Sequence, residues 1–544
     1  MKMLVFFLSV VTPEGVIGGT LLITQGKAIK IIGMMMIIGI CSKALGFVRE
    51  LVIAHHFGVN AAMDAFNIAF SIPGIFLPGI GTAIATTFIP TFTHQVENRG
   101  KEAALGLTHK LLTLICLGGV LLCSLGIIFS LPLTHLLAPQ FNHCQTILAS
   151  DLTKILLATG VFSMIFGLCS GYLQIHGHFI VLALASYPLN ITIIFILVCW
   201  AGNHGIYSLA VAWAIATVIQ FLFIVPSMLR TGFRFIPSFD FRDPALIQVV
   251  HLMIPVFTGT ILLQVNTVID RVFASGLPVG TISALNYAGR INNLMISIIA
   301  VDIAAISLPN LSRAAALNDI DRLKHTMLEA VRGINLIVIP ITIGMVVLRV
   351  PLIQLIYQRG IFDKHATTMT ATALCYLSAG LFAYGLREIF SRVFYALNDT
   401  ITPMINSGIT VILNILLIFL LAPAFGMAGL AGATSISGVF SGIQLLFRLR
   451  HKIGSVHGLE IAVSFFKILL ASLGMGFFIA WIHPWIRSLN PGSGFFPQLW
   501  SLMITTMMSA PLYGIVLLLL KEETFLIVTV LIKQKYFEVF RKLV

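Results

Sequence analysis

Runs of about 20 apolar residues recur along this chain from Ile31 to the C-terminal region, and they constrain its fold more than any other feature. Each run is long enough to cross the roughly 30 Å hydrocarbon core of a bilayer as a helix. The chain has 544 residues, of which 58% are hydrophobic and only 10% are charged, whereas a soluble domain carries roughly 25% charged residues. Because so few charges cannot cover this apolar content with a wetted surface, we predict an all-α polytopic membrane protein.

We predict about fourteen transmembrane helices. Several of them contain proline or glycine, which membrane helices tolerate when neighbouring groups satisfy the freed backbone. The predicted spans are 31–54, 64–93, 107–136, 152–175, 179–200, 206–229, 246–274, 281–311, 326–348, 367–396, 401–422, 427–447, 460–482 and 499–520.

The distribution of basic residues predicts the orientation of these spans. If the amino terminus is cytoplasmic, 20 of the 33 lysines and arginines lie in cytoplasmic loops or termini, and four (Arg349, Arg359, Lys364 and Arg487) lie on the opposite side. Cytoplasmic loops of membrane proteins carry such an excess, so we expect both termini to be cytoplasmic. The net charge of +13 does not indicate nucleic-acid binding, because the basic residues are spread over short loops rather than clustered on one polar surface.

The sequence also repeats itself at a spacing of about 220 residues. TAIATTFIPTFTH at 82–94 is echoed by AVDIAAISLPNLSR at 300–313, and Asn190 is matched by Asn414. Six spans therefore correspond to the next six in the same order, which predicts two parallel six-helix repeats that rock about a substrate between them. The predicted organisation is an N-terminal extension of unassigned role at 1–30, an N-lobe at 31–230, a C-lobe at 231–455, and two additional C-terminal helices with a cytoplasmic tail at 456–544.

Charges within a span are costly in a membrane and usually face a cavity or a partner, and two of the predicted spans combine them in a pattern that indicates a site. The first span contains Lys43, Arg49 and Glu50, and at 100° per residue Lys43 and Glu50 share a helix face. The eighth span has a polar stripe at offsets 0, 4, 7 and 11, which is helical periodicity. The residues of this stripe are Asn286, Arg290, Asn293 and Ser297.

This pattern predicts a water-filled, positively charged cavity that suits a diphosphate, since arginine and lysine are the usual phosphate-binding side chains. We predict that Lys43, Arg49 and Arg290 bind the diphosphate. The predicted supporting residues of the cavity are Glu50, Asp64, Asn286 and Asn293. An alternative stays open, in which the cations only form ion pairs with acids such as Glu50, Asp64 or Asp302.

Asp270 in the seventh span lies one turn after Asn266, and oxygen ligands of this kind can hold a coupling cation or relay a proton. Asp270 could equally pair with a neighbouring cation. Glu388 and Arg392, spaced four residues apart in the tenth span, are better explained as a structural pair. The seven cysteines lie mostly in apolar runs without CxxC spacing, so we expect neither a metal site nor a disulfide framework.

The chain shows no phosphate-binding loop, nucleophile elbow or zinc cluster, and we therefore expect a transporter rather than an enzyme, with no cofactor. Without an ATPase module, the energy would come from the membrane potential, from a Na⁺ or H⁺ gradient, or from downstream consumption of the product.

Several motifs resemble those of the MurJ/MviN lipid II flippases, a branch of the multidrug/oligosaccharidyl-lipid/polysaccharide (MOP) exporter superfamily. The resemblance extends from about residue 31 to the end of the chain. The motifs that carry it are SKALGFVRELVIAHHFGVNAAMDAF at 42–66, NYAGRI at 286–291, SLPNLS at 307–312, YQRGIFDKHAT at 357–367 and FYALNDTITPM at 394–404.

The resemblance implies alternating-access transport of undecaprenyl-diphosphate-linked peptidoglycan precursor from the cytoplasmic to the periplasmic leaflet of a bacterial inner membrane. The implied partners are lipid II, membrane lipids and cell-wall synthesis proteins. Lys43, Arg49, Asp64 and Arg290 match positions that line the family's cavity. The two additional helices are expected to form a groove for the lipid tail. Some members of the family hold sodium, for which Asp270 and Asn414 are candidate ligands here.

The chain also departs from the family pattern. The second span reads IPGIFLPGIGTA at 72–83 without a charge, where many members carry an arginine and an acid, and Gly289 replaces a common acid. The eleventh span offers Asn414 but no acid, which puts sodium coupling in doubt. Two alternative functions remain, namely another transporter of the superfamily, for lipid-linked oligosaccharides or for drugs with cation coupling, and a non-transporting scaffold or enzyme of lipid-linked sugar synthesis.

Overall fold

The structure is a computed structural model that describes residues 21–297, 301–490, 492, 494–527 and 529–530. These residues are almost entirely helical and contain no strand, which confirms the predicted all-α class. Of the N-terminal extension predicted at 1–30, residues 1–20 lie outside the described part of the chain. By their contacts the residues form two compact units, each described below by itself.

The first unit comprises the described residues up to Ser283 together with Arg359–Asp363. Its helices are α1 (Leu21–Phe57), α2 (Ala61–Arg99), α3 (Lys101–Ile128), α4 (Ser130–Leu137), α5 (His143–Ala158), α6 (Gly160–Ile175), α7 (Phe179–Leu184), α8 (Ser186–His204), α9 (Ile206–Arg230) and α10 (Pro244–Ala274).

The second unit comprises the described residues of 284–358 and 364–544. It contains most of α11 (Thr281–Met295), followed by α12 (Val301–Ala316), α13 (Ile320–Val347), α14 (Arg349–Tyr357), α15 (Lys364–Ser378), α16 (Leu381–Ala396), α17 (Ile401–Ile453), α18 (Gly458–Leu489) and α19 (Phe495–Leu519). These two units are defined by the contacts between helices. The lobes predicted from the sequence repeat, at 31–230 and 231–455, stay a prediction.

Every predicted span coincides with one described helix, with two consecutive helices, or with half of α17. In the described part of the chain, 11 helices are long and apolar enough to cross a membrane. Large apolar side chains on them are widely exposed, among them Phe195 at 67%, Phe477 at 76% and Trp481 at 73%. Soluble proteins rarely leave so much apolar surface in water, and the protein is therefore a multi-pass membrane protein. The number fourteen stays a prediction.

A close helix crossing forms the core of the first unit. Gly81 of α2 faces Gly167 of α6, and a Cβ added at Gly167 would lie 2.6 Å from the Cα of Gly81. Small residues allow such close backbone approach, which drives helix association in membranes. Farther along the same two helices, Phe88 and Tyr172 are fully buried. This packing holds α2 at the centre of the unit.

Helix α17, with 53 residues, is two predicted spans in one element. Gly426 interrupts it with φ 56° and ψ −131°. The Asn406 amide donates to Ser441 Oγ (2.7 Å) and Ser437 Oγ donates to Asn414 Oδ1 (3.3 Å). A Cβ on Gly429 would lie 2.2 Å from the carbonyl oxygen of Leu421. Because each pair centres near residue 425, the halves run antiparallel as a hairpin, in agreement with the spans predicted at 401–422 and 427–447.

Candidate functional site

Arg49 of α1 is held by three neighbours within the first unit. Its Nη2 donates to Glu50 Oε1 (2.6 Å) and its Nη1 donates to Asn190 Oδ1 of α8 (2.9 Å). The guanidinium carbon lies 4.8 Å from the ring centroid of Trp213 on α9, a distance at which a cation is attracted to the ring face. The side chains of Arg49 and Glu50 are only 12% and 10% exposed. The guanidinium plane is therefore fixed by three helices.

Two donors beside this cluster stay unused. Arg49 Nε and Trp213 Nε1 are buried and have no hydrogen-bond partner among the described residues. Buried donors are rarely left unsatisfied in native proteins. Together they would suit a further acceptor oxygen, such as that of a phosphate.

Lys43 lies on the same helix, seven residues before Glu50, which is about 10 Å along the axis. Its side chain is exposed and forms no hydrogen bond or ion pair with the residues that the structure describes. Arg49 and Glu50 therefore form an ion pair, which is the alternative to diphosphate binding that the sequence left open for Arg49. Lys43 is an exposed cation.

Arg290 lies on α11, in the second unit. It is exposed, as is Asn293, and Asn286 is half-buried, whereas Ala288 on the opposite side of the helix is buried. The predicted polar stripe is thus the accessible face of an amphipathic helix. An exposed arginine on such a face can bind an anion with its planar donor fork.

Asp64 of α2 is 3% exposed and caps the N-terminus of α11. Its Oδ2 accepts from the Gly280 N–H (2.6 Å), and its Oδ1 accepts from the Ser283 N–H (2.7 Å) and from the Ser283 hydroxyl. A carboxylate is favoured at a helix N-terminus, where N–H groups lack partners. The geometry is that of a helix cap, and the proposed role of Asp64 in a substrate cavity stays a prediction.

The candidate cation ligands are Asp270 of α10 and Asn414 of α17. Asp270 Oδ1 is buried and has no hydrogen-bond partner in the described part of the chain. Asn414 is 1% exposed and accepts from Ser437. Among the described residues there is no group of three or more His, Cys, Asp or Glu side chains that could hold a metal ion. Asp270 is therefore the better candidate of the two for a single weakly held cation.

Two residues of the Arg49 cluster were not identified as site residues from the sequence. Asn190 was noted as the repeat partner of Asn414, and both asparagines are buried and hydrogen-bonded within their own unit. A buried asparagine in an apolar span is itself a signal, because it requires a polar partner. For Trp213 the sequence offers no comparable signal.

The structural pair predicted in the tenth span is confirmed. Arg392 Nη2 donates to Glu388 Oε1 at 2.9 Å, one turn apart on α16. These two charges satisfy each other, which makes them useful as a comparison for Arg49 and Glu50.

A multi-pass helical fold with a buried arginine in a membrane-spanning helix is typical of membrane transporters. Similarity to solved structures supports the same class. The chain resembles a structure described as lipid II flippase MurJ in an inward closed conformation, with a TM-score of 0.74 and 26% identity, over 89% of this chain and 98% of that one. An inward-facing MATE family multidrug transporter of the MOP superfamily has a TM-score of 0.63 at 16% identity, over 76% of this chain and 95% of that one, and shows the fold alone.

The family model described as lipid II flippase MurJ matches residues 53–499. Curated relatives agree. A probable lipid II flippase MurJ of Vibrio cholerae is 30% identical over 76% of this chain and 81% of its own length. A probable lipid II flippase MurJ from Buchnera aphidicola subsp. Schizaphis graminum is 29% identical over 90% of this chain and 96% of its own length. The chain belongs to the lipid II flippase MurJ family.

Proposed function

We propose that this protein flips lipid II, the undecaprenyl-diphosphate-linked peptidoglycan precursor, from the cytoplasmic to the periplasmic leaflet of a bacterial inner membrane. Membership of the family supports the substrate class. The observation that supports diphosphate binding by these residues is the fixed orientation of the Arg49 guanidinium, which contacts Glu50, Asn190 and Trp213. A pre-oriented guanidinium loses less conformational entropy on binding a diphosphate than a mobile one.

In this proposal the diphosphate competes with Glu50 for Arg49. Two phosphate oxygens fit the planar donor fork as a carboxylate does, and a diphosphate carries more negative charge. Lys43 supplies a second cation from the same helix, and the sequence predicts Arg290 as a third. A substrate that binds one conformation of the transporter better than another shifts the population toward that conformation. Diphosphate binding of this kind would couple the substrate to alternating access.

The direct test is growth of a bacterial strain depleted of its own lipid II flippase and supplied with this gene. We expect normal growth, and we expect lipid II to reach the outer leaflet, where an externally added hydrolase can cleave it. Failure of both readouts with the protein at normal level in the membrane would contradict the proposal.

The second candidate is another exporter of the same superfamily, for a different lipid-linked oligosaccharide or for drugs. The fold alone permits it, since a multidrug transporter has the same architecture. The two functions can be distinguished by their effects on the host. A drug exporter would lower the drug sensitivity of the host without restoring peptidoglycan synthesis, whereas a lipid II flippase would restore peptidoglycan synthesis without lowering drug sensitivity.

The orientation proposed from the charge count can be tested with a native thiol. Cys144 is exposed at the start of α5, on the side that the charge count predicts to be periplasmic. In a variant without the other exposed cysteines, Cys41 and Cys199, we expect an impermeant thiol reagent to label Cys144 in intact cells. A cysteine introduced by Asn203→Cys should also react, whereas one introduced by Lys101→Cys should react only after lysis. The reverse pattern would overturn the orientation, and with it the cytoplasmic location of both termini.

We also propose that Asp270 binds a coupling cation, either Na⁺ or H⁺. Its unpartnered Oδ1 supports this role, because a buried carboxylate oxygen without a donor is costly. We expect Asp270→Asn to reduce flipping. For a Na⁺ site we expect Na⁺ to raise the melting temperature of the wild type and not that of Asp270→Asn, whereas for H⁺ coupling we expect flipping by the wild type, and not by Asp270→Asn, to depend on pH. Asp151→Asn is the matched control, since Asp151 is 39% exposed and pairs with Lys154. A fully active Asp270→Asn variant would remove the ion site.

A further inference from the structure

Residues 231–243, with the sequence TGFRFIPSFDFRD, join α9 to α10 and form what we call the aromatic segment. Four of its thirteen residues are phenylalanine and two are arginine. It contains no helix or strand. The mechanism proposed above does not use it.

The aromatic segment is nevertheless bound tightly to α3. The backbone N–H of Ile236 donates to His109 Nδ1 (3.0 Å), and that of Ser238 donates to Thr113 Oγ1 (3.1 Å). One phenylalanine, Phe233, is 5% exposed and lies 5.1 Å from the ring of Tyr172. These contacts satisfy backbone groups of the segment and fix its path along the side of α3.

An ion-pair cluster fixes the end of the segment. Lys110 Nζ donates to Asp240 Oδ2 and to Asp243 Oδ2, both at 2.7 Å. The hydrogen bond from Lys110 lowers the pKa of the Asp240 carboxyl, so both partners stay charged at neutral pH. The two acids of the segment are thereby occupied with Lys110.

The remaining side chains of the segment point away from the protein. Phe235, Ile236, Phe239 and Phe241 are 46%, 63%, 67% and 39% exposed. Arg234 and Arg242 are exposed as well and form no side-chain hydrogen bond or ion pair with the residues described by the structure. The segment thus presents apolar rings and two cations on a backbone that is already ordered.

The position of the anchor points on α3 gives the depth of this surface in the membrane. Helix α3 begins at Lys101, about 12 Å before His109 at 1.5 Å per residue. From Leu111 to Ile128 it carries no charge, and these residues span about 26 Å, close to the thickness of a hydrocarbon core. With the uncharged stretch of α3 across the hydrocarbon core, the anchor points at His109 and Thr113 lie at its edge, so we expect the segment at the boundary between headgroups and acyl chains.

We propose that the aromatic segment is a membrane-interface anchor that binds anionic lipid headgroups of the cytoplasmic leaflet. Arg234 and Arg242 contact headgroup phosphates, and Phe235, Phe239 and Phe241 insert at the acyl boundary. The anchor is distinct from the transport of lipid II and does not depend on it.

Depth and charge favour lipid over a soluble protein partner. At the level of the first apolar residues of α3, the exposed rings would meet headgroups and acyl chains before they could meet a cytosolic surface. Amphipathic segments with arginine on the polar side and phenylalanine on the other bind in this zone, and anionic lipids strengthen the binding. The charge count predicts that this side faces the cytoplasm, where the leaflet is negatively charged.

Depth can be measured with a nitroxide label in vesicles that contain the full chain. The label is attached through Phe239→Cys in a variant whose native cysteines are replaced by alanine. Leu317→Cys is the matched control, because Leu317 is almost equally exposed, at 66%, but precedes α13. The first residue of that helix, Ile320, lies about 21 Å before the uncharged stretch that includes Ile334. We expect the label at 239 to collide mainly with oxygen, which partitions into lipid, and the label at 317 to collide mainly with a water-soluble nickel chelate. Equal behaviour of the two labels would overturn the proposal and indicate a surface for a soluble partner.

Headgroup binding can be measured on the protein with its native cysteines. Purified protein is titrated with phosphatidylglycerol, and with phosphatidylcholine as the zwitterionic comparison, and bound lipids are counted by native mass spectrometry. We expect Arg234→Gln with Arg242→Gln to lower phosphatidylglycerol affinity roughly thirtyfold and to leave phosphatidylcholine unchanged. Arg322→Gln, at another exposed arginine predicted to be cytoplasmic, should have no such effect. An unchanged affinity in the double variant would refute headgroup binding by the segment.

Discussion

We expect alanine at Arg49 to abolish the ability of this protein to replace a depleted lipid II flippase, and we expect alanine at Arg290 to do the same. Each charge-assisted contact to phosphate contributes about 1.5–3 kcal/mol, which corresponds to about tenfold to a hundredfold in affinity. Because the second span carries no charge between residues 72 and 83, few other cations can compensate. Arg290→Lys should restore function only in part, since the charge remains but the bidentate fork is lost. The measurements are growth and outer-leaflet lipid II, with the protein level in the membrane as reference.

The Arg49 prediction needs a control for folding. Arg49→Ala removes an ion-pair partner of Glu50, whose side chain is only 10% exposed. Removing one member of a buried pair costs about 3–5 kcal/mol. Arg49→Ala with Glu50→Ala also removes the carboxylate that has lost its arginine partner, and it should recover thermal stability without recovering transport. The pair Arg392→Ala with Glu388→Ala changes the same chemistry on α16 and should leave transport intact. If the Arg49/Glu50 double variant transports normally, Arg49 only holds helices together and does not bind diphosphate.

We expect alanine at Asp64 to lower the free energy of unfolding by about 2–6 kcal/mol, because each buried N–H group left without an acceptor costs about 1–3 kcal/mol. The carboxylate accepts three hydrogen bonds at the N-terminus of α11 and is 3% exposed. Its loss leaves two buried N–H groups without a partner, and water cannot readily replace it there. Asp64→Asn keeps one acceptor oxygen, and we expect it to lower the free energy of unfolding by about half as much as Asp64→Ala. The measurement is the melting temperature of the purified protein in detergent.

Asp319→Ala is the matched control for Asp64. Asp319 also caps a helix, accepting from the Arg322 N–H of α13 at 3.0 Å, but it is exposed. Loss of an exposed cap costs about 1 kcal/mol, so Asp319→Ala should lower the melting temperature much less. Equal losses in the two alanine variants would show that burial adds nothing to the cap at Asp64.

The spans were predictable from the sequence because a bilayer requires every crossing segment to be long, apolar and helical. Lengths and spacing alone therefore located helices as different as α9 and α18. The short helix α14 (Arg349–Tyr357) was not predicted, since nine residues cannot cross a membrane and leave no periodic signal. Nor did the sequence show that the eleventh and twelfth spans join without a loop at Gly426.

The site was predictable where charge made it conspicuous. Arg49 was identified because an arginine in an apolar span is costly, and the same argument named Glu50 as an alternative partner. Trp213 was not identified, because a tryptophan in an apolar span carries no unusual cost. The bonds from Asp64 to Gly280 and Ser283 join residues more than 200 positions apart, and such pairing arises only from the packing of helices.

The hairpin in α17 has a consequence for how the chain enters the membrane. Its two halves meet at Gly426, whose positive φ of 56° favours glycine, and the approach of Gly429 to Leu421 leaves no space for a side chain. The two arms are also joined by the Asn406–Ser441 and Asn414–Ser437 hydrogen bonds. Because these bonds and the close approach at Gly429 all need both arms in place, we expect the arms to enter the bilayer as a pair rather than one after the other. We therefore expect a tag inserted at residue 426 to separate the arms and to lower the amount of folded protein in the membrane.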